Sequence, residues 1–600
     1  MIKKFFLSFL SSMAAIWLSL LLMVIVAFTA IIGIAFSGDS EWQGATAIKV
    51  TDNSILEIDL TGSITERKEA PDFSAIIANN EINSVNLSQT ISTIYRAAHD
   101  SRISGIYLKC GGCMGGTASL QELSEALTYF KSKPSKWILA YGDNYLQTDY
   151  IVASNATEIW LNPIGTLDIH GLSATTMFYK GLLDKLGVKM QVLRVGTFKS
   201  AIEPFILKEM SPASRLQQES YMGSIWKNVS ETIAQNRAIS TEQVNQIANQ
   251  VSITMPADSM LSNGLVNKIG YRHEIEARIA ELCKKDNFSD VQSITPAQYS
   301  TTFNATDFSY LPDVNNKDAK TIAILYATGE ISDNGQEGII GNDMIEEITK
   351  LTDDAENLAG LILRVNSPGG SAFASEQIWN ALEQFKQKTG LPLYVSMGDV
   401  AASGGYYISC GADVIYAEPT TITGSIGIFG MIPEIKELLN KHLGVTTSTV
   451  CTNSNGNFPT LTEPMTPNQT KQMQAYIERG YDLFTKRCAN GRNMTQDAIK
   501  AIAEGRVWSG TQALENGLVD RLGSLRSAIY GLAADKNLTS YQVKEYPEIK
   551  PSPLDLIMEI NELDLNNGTI EQNAPLLMKR IEEFTGEPTI QCRMEDIVIQ

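Results

Sequence analysis

A chain that contains itself twice has to fold each copy on one plan. Gly142-Asp143-Asn144-Tyr145-Leu146-Gln147-Thr148-Asp149-Tyr150 aligns without gaps on Gly398-Asp399-Val400-Ala401-Ala402-Ser403-Gly404-Gly405-Tyr406. At the same offset, Ile159-Trp160-Leu161-Asn162-Pro163 falls on Ile415-Tyr416-Ala417-Glu418-Pro419. At the centre of the match Gln147 stands where the second copy has Ser403. A serine within Ala-Ser-Gly-Gly can be a reactive hydroxyl, whereas a glutamine cannot. The chain reads as a duplicated domain whose halves have taken different jobs. Its 600 residues divide into two large lobes of about 250 residues, each long enough to bury a core.

Local patterns support the duplication. Residues 55–62 alternate like a strand ending in a glycine turn, and residues 322–329 match them. Gly105-Ile106-Tyr107-Leu108-Lys109 and Gly360-Leu361-Ile362-Leu363-Arg364 both read as buried strands. Helical patterns follow, ending Ala126-Leu127-Thr128-Tyr129-Phe130-Lys131 and Ala381-Leu382-Glu383-Gln384-Phe385-Lys386. Further strands are predicted over 137–141 and 391–397. Strands alternating with helices imply an α/β fold with largely parallel sheets. The polar stretch 300–320 reads as the link between halves, and the tail from Pro547 has no copy in the first half.

Lys3-Lys4 precedes an uncharged, mostly apolar run over residues 5–36. A bilayer core needs about 20 apolar residues in a helix, and a signal peptide only about 7–15. The run is therefore expected to remain as a transmembrane anchor. Lysines before it, and Asp39 and Glu41 after it, put the N-terminus in the cytoplasm and the rest outside. The net charge of −19, with no basic stripe, speaks against nucleic acid as a partner. Seven cysteines are too scattered for a disulfide framework. Cys110-Gly111-Gly112-Cys113 has redox or half-zinc spacing, but no second pair or nearby histidine accompanies it. No metal is expected, and a labile disulfide there is the alternative. Cys410 is expected in the core.

Ser403 follows a predicted buried strand and precedes a helical segment over 405–411. At such a turn a serine can face outward while the helix N-terminus favours negative charge beside it. Gly404 and Gly405 leave room for a substrate backbone, although the same residues also suit a packed small-residue turn. Asn366-Ser367-Pro368-Gly369-Gly370 can be a simple type II turn. It can also help form an oxyanion hole in which the Gly369 and Gly404 N–H groups converge on a carbonyl attacked by Ser403. The first copy has Lys109-Cys110-Gly111-Gly112 near this place, without the Pro-Gly-Gly turn. A base is also needed. His99, His170, His273 and His442 are the chain's only histidines; none lies in a recognisable motif, yet a triad is defined by geometry. A lysine is the other option if burial lowers its pKa from about 10.4, and Lys199 has the most apolar local setting.

These motifs, taken in order, resemble the signal peptide peptidase A family in its long, duplicated protease IV form. The resemblance rests on Asn366-Ser367-Pro368-Gly369-Gly370, on the stretch from Met397 to Tyr406, and on Thr423-Gly424-Ser425-Ile426-Gly427-Ile428-Phe429-Gly430. In the first half it rests on Gly196-Thr197-Phe198-Lys199-Ser200-Ala201-Ile202-Glu203-Pro204-Phe205 and Met210-Ser211-Pro212. It implies tandem Clp-protease/crotonase-like domains of repeated ββα units and a Ser-Lys endopeptidase that degrades cleaved signal peptides. By motif, Ser403 is the nucleophile, Lys199 the general base, and Ser425 the hydroxyl that orients the lysine. The site matching Lys199 in the second half falls near Asn455-Gly456, where there is no lysine. The expected domains are a membrane anchor at 1–36, a first repeat at 46–300 supplying the lysine, a second at 320–545 supplying the serine, and an extension at 546–600. The resemblance further implies a homotetramer in the bacterial cytoplasmic membrane, with lobes on the periplasmic side, and no cofactor. It attaches no role to Asp399 and none to Cys110 and Cys113. Two other readings compete. One is a crotonase-like acyl-CoA enzyme, which an outward location disfavours. The other is a non-catalytic, membrane-tethered scaffold for exported peptides, which the intact Ser403, Lys199 and Pro-Gly-Gly turn disfavour.

Overall fold

The computed structural model describes residues 48–67, 84–302, 319–335 and 338–548. The expected anchor lies outside them, as do most of the link between halves and the extension beyond 548. Among the described residues no helix is long and apolar enough to cross a membrane. Residues 49–550 belong to one compact unit, so both repeats share it.

Each repeat builds its own largely parallel sheet. In the first, Ser54–Thr65 lies beside Ile103–Met114, followed by Trp137–Tyr145, Glu158–Leu167 and Lys268–Ile269. In the second, Thr321–Thr328 lies beside Leu358–Ser367, and then Leu393–Ala402. Ile106 stands between Leu56 and Ile138; Leu361 stands between Ala323 and Leu393. The outer strand of the second sheet, Gln542–Tyr546, pairs with Thr321–Thr328 as the short Ser293–Ile294 pairs with Ser54–Thr65.

Both faces of each sheet are covered, which explains the nearly unbroken apolar runs in the strands. Ala323, Leu325 and Leu363 pack on one side with Ile348 and Phe385 of the helices Gly341–Asp353 and Ala372–Thr389. Their neighbours Ile322, Ile324 and Ile362 turn to the other side, into a core that also holds Leu56, Leu108 and Leu127 of the first repeat. One apolar core therefore runs through both repeats.

A small antiparallel sheet crosses between the halves. Lys189–Val195 of the first repeat pairs with Ile428–Glu434 of the second, with Val195 opposite Ile428. This pairing delivers the segment after Val195 to the second repeat.

Candidate active site

The strand Leu393–Ala402 extends past the predicted 391–397 and delivers Ser403 at its end. The helix Gly404–Ser409 starts at once, with Ser403 as its N-cap, and Cys410 caps its C-terminus in the core. Ser403 has φ 55° and ψ −115°, and Ser425 has φ 51°. A non-glycine residue held at positive φ costs about 1–3 kcal/mol and is concentrated at functional sites. Here both strained residues carry hydroxyls on one cation.

That cation is Lys199. Its Nζ donates to Ser403 Oγ at 2.9 Å, to Ser425 Oγ at 3.0 Å and to the Ser425 carbonyl at 3.0 Å. The side chain is buried, 5% exposed, while Ser403 stays partly accessible. Burial lowers the Lys199 pKa from 10.5 to about 8, because the charged form loses its hydration.

Four residues past the crossing strand, Lys199 is held from several directions. The Phe198 N–H donates to the Glu504 carbonyl at 2.9 Å. Gln217 Nε2 donates to the Phe198 carbonyl and to Ser200 Oγ, both at 2.9 Å. Glu203, buried a few residues on, accepts from Ser211 N–H at 3.1 Å and Ser211 Oγ at 2.6 Å. Ser211 caps the long helix Pro212–Arg237.

The two glycines expected to donate to an oxyanion lie beside Ser403. A Cβ built on Gly369 would stand 2.6 Å from Gly404 N and 2.9 Å from Ser403 Cβ. The Gly369 N–H is engaged within its own turn, donating to Ser367 Oγ at 3.1 Å. The space beside Gly404 and Gly405 is taken by Ser375 Oγ and the Ser367 carbonyl, so their lack of side chains serves the protein's own packing. His442 lies in the helical turn Leu438–Leu443, and the other three histidines have partners of their own. His99 bonds the Tyr129 hydroxyl at 2.8 Å, His170 faces Asp168 at 3.1 Å, and His273 stacks on Tyr271. Cys110 and Cys113 are buried and unbridged, and burial raises both thiols above their ordinary pKa.

The first repeat has closed the corresponding place. Gln147, at the position of Ser403, accepts from the N–H groups of His170 and Gly171 at 3.0 and 2.9 Å. Asp149, at the position of Gly405, accepts from the N–H groups of Gly112, Cys113 and Leu146 at 3.1, 2.8 and 3.1 Å. A carboxylate of the chain itself thus ties together the backbone N–H groups on both sides of this turn.

Sequence reasoning missed Gln217 and the use of Asp399. The Asp399 carboxylate crosses to the first repeat and accepts from Ser119 N–H at 2.9 Å and Ser119 Oγ at 2.6 Å. It caps the helix Thr117–Lys131, whose own N-cap is Gly116. The signal for it was the bare N-cap glycine, a helix start lacking a local partner.

The sequence matches the model of peptidase family S49 over residues 131–286 and again over 385–539, once in each repeat. Protease 4 of Haemophilus influenzae is 35% identical over 506 residues, covering 81% of this chain and 80% of its own length. Protease 4 of Salmonella typhi is 35% identical over 493 residues, covering 80% and 77%. The chloroplastic serine protease SPPA of Arabidopsis thaliana is 28% identical over 569 residues, covering 93% and 79%. Among solved structures, a point mutant of ClpP1 from Listeria monocytogenes aligns with 34% of this chain and 94% of its own. Its TM-score is 0.24 at 15% identity.

Proposed function

The chain belongs to peptidase family S49 and is a serine endopeptidase; on that premise we propose that it cleaves peptides with a Ser403–Lys199 dyad assembled across its two repeats. The observation that carries this reading is the buried Lys199 amine 2.9 Å from Ser403 Oγ. A neutral amine accepts the Ser403 proton as Oγ attacks the scissile carbonyl, forming the tetrahedral intermediate. The ammonium then protonates the departing amine, leaving an acyl-enzyme on Ser403. Water, deprotonated by the same amine, releases the acid product. Ser425 Oγ keeps the amine aimed through both half-reactions. Gly404 and Gly369 supply the oxyanion N–H groups, Gly369 exchanging Ser367 Oγ for the substrate oxygen, and each such donor is worth about 10²–10³ in rate.

The substrate class we propose is cleaved signal peptides and similar apolar peptides, met at the membrane by an enzyme anchored through residues 1–36. Its lobes face the periplasm and its copies form a tetramer. The support is the apolar N-terminal run, the family resemblance and the partly accessible serine. A Clp-protease/crotonase-like fold of repeated ββα units for the two lobes belongs to the same proposal. Membership in a peptidase family leaves the acyl-CoA and scaffold readings without a supporting observation.

Ser403→Ala and Lys199→Arg test the dyad on the full chain in detergent. Both are expected to retain the wild-type fold by circular dichroism and to lose hydrolysis of an apolar reporter peptide. Guanidinium stays charged in proteins and cannot act as a base. An active Lys199→Arg enzyme would send the search for the base back to the histidines.

A further inference from the structure

The lysine and the serine come from opposite halves of the chain, so something has to hold one backbone against the other. Starting at Ser403, its N–H donates to the Gly424 carbonyl at 2.9 Å. The N–H of that same peptide group, on Ser425, donates to the Arg506 carbonyl at 2.7 Å. The N–H of the next group, on Val507, donates to Gln217 Oε1 at 3.2 Å. Gln217 Nε2 in turn donates to the Phe198 carbonyl at 2.9 Å, in the peptide group that enters Lys199. Amide hydrogen bonds in series polarise one another and fix one another's direction.

We infer that Gln217 is a positioning residue: it closes an unbroken row of amide hydrogen bonds from the backbone of Ser403 to that of Lys199 and so sets where the amine stands. This rests on the dyad proposed above. Gln217 is the only side chain in the row, and it is buried, 2% exposed. Its amide has one workable orientation, because Oε1 faces an N–H while Nε2 faces a carbonyl and the Ser200 hydroxyl. The helix that carries it runs along the second repeat. Ser220 accepts from Gln512 at 3.0 Å, Ser224 meets Ser509 at 2.7 Å, and Asn228 donates to Thr511 at 3.4 Å. Positions 217, 220, 224 and 228 share one face of a helix. The lower three bonds dock the helix, and Gln217 alone of the four reaches the lysine segment.

The test uses full-length Gln217→Met and Gln217→Glu enzymes, with Lys199→Arg alongside. Methionine keeps the shape and loses the bonds that Gln217 makes, to the Val507 N–H, the Phe198 carbonyl and Ser200 Oγ, while the backbone bonds of the row remain. Misplacing a reacting group by about 1 Å costs about 10²-fold in rate. Gln217→Met is expected to lower kcat by about 10- to 100-fold with little change in KM. The acid limb of kcat/KM should move to higher pH as a loosened amine regains water. Gln217→Glu keeps an acceptor for the Val507 N–H but sets a carboxylate against the Phe198 carbonyl. Its negative charge favours the ammonium, so its acid limb should move higher still. A folded Gln217→Met enzyme with wild-type kcat and an unmoved limb overturns the inference. So does a loss of activity that only tracks the folded fraction in the melting curve, again with the limb unmoved. If Lys199→Arg is itself active, the dyad reading has failed; if it is inactive while Gln217→Met behaves as wild type, only the role of Gln217 has.

Discussion

Lys199 sits where its chemistry and its cost are the same fact. Removing the amine from water brings its pKa down to about 8, and kcat/KM should climb as pH rises through that value. The same shift weighs on stability. Folded, Lys199 binds its proton more weakly than in the unfolded chain, so folding is penalised wherever the unfolded chain is protonated there. Between about pH 8 and 10.5 the unfolded chain holds a proton the folded one has released, and stability rises with pH. Below pH 8 the penalty is fully present, about 3 kcal/mol at 1.36 kcal/mol per unit. Lys199→Met should therefore be inactive yet melt higher than wild type at pH 7, with the difference shrinking by pH 10. Thermal melts of both proteins at the two pH values read this directly; equal melting temperatures at pH 7 would mean that the amine is well hydrated in the folded enzyme. Ser403 and Ser425 carry strain of a second kind. Both hold positive φ, which fixes their hydroxyls on the amine without relying on side-chain rotamers alone.

The elements that bring this lysine across are the crossing strand pair and the turn beneath it. Lys189–Val195 pairs with Ile428–Glu434, and the turn at Glu504 and Gly505 closes under Lys199. Gly505 has φ +78°, and a Cβ there would stand 2.7 Å from both Lys199 N and Lys199 Cβ. Backbone cannot yield as a side chain end can. Gly505→Ala should lower kcat/KM by at least about 10²-fold while costing about 1–3 kcal/mol of stability. Gly390→Ala is the control: φ is +67° but nothing lies within 4 Å, so it should melt slightly lower and stay fully active. Comparable activity in the two variants would show that Gly505 does not set the lysine's position. Much of this level was legible beforehand. The alternating strands, the helices after them, and the Ser403 turn follow from short-range pattern, and the Gly196 to Phe205 motif marked Lys199. The crossing pair was not legible, because Lys189–Val195 and Ile428–Glu434 are short strands whose partners lie in different halves. Nor was the face of Pro212–Arg237 that meets the second repeat. It is a polar stripe of Gln217, Ser220, Ser224 and Asn228, and apolar periodicity marks only the faces that bury hydrocarbon.

At the scale of the whole molecule, the halves are joined by charges that no local pattern could announce, because their partners are hundreds of residues apart. Arg364, fully buried, donates through Nε and Nη2 to Glu66 at 3.0 and 3.2 Å, and through Nη1 to Glu122 at 2.7 Å. Both carboxylates belong to the first repeat. The duplication makes the difference between halves plain: Lys109, the counterpart of Arg364, pairs with Glu57 within its own half. One guanidinium here serves several carboxyl groups. Burial, with Glu66 and Glu125 nearby, raises Glu122 to about 7 against the pull of Arg364, and the buried Glu418 is raised as well. For Glu122 the folded state keeps a proton that the unfolded state has lost between pH 4.5 and about 7, so this group makes stability fall as pH rises across that window. Glu122→Gln should flatten that slope. Arg364→Met removes the cation and leaves the buried Glu66 and Glu122 carboxyl groups without it, which costs about 3–5 kcal/mol. Since the serine and the lysine stand on opposite sides of this interface, loosening it should separate them before either sheet unravels. On heating Arg364→Met, peptide hydrolysis should therefore disappear at a lower temperature than the far-UV circular dichroism signal, with the gap widening from pH 5 to pH 7, the window in which the unfolded chain has lost the Glu122 proton that the folded one keeps. Coincident loss of both signals at every pH would mean that the repeats unfold as one block, and that the dyad depends on the fold of the whole chain rather than on the docking of its halves.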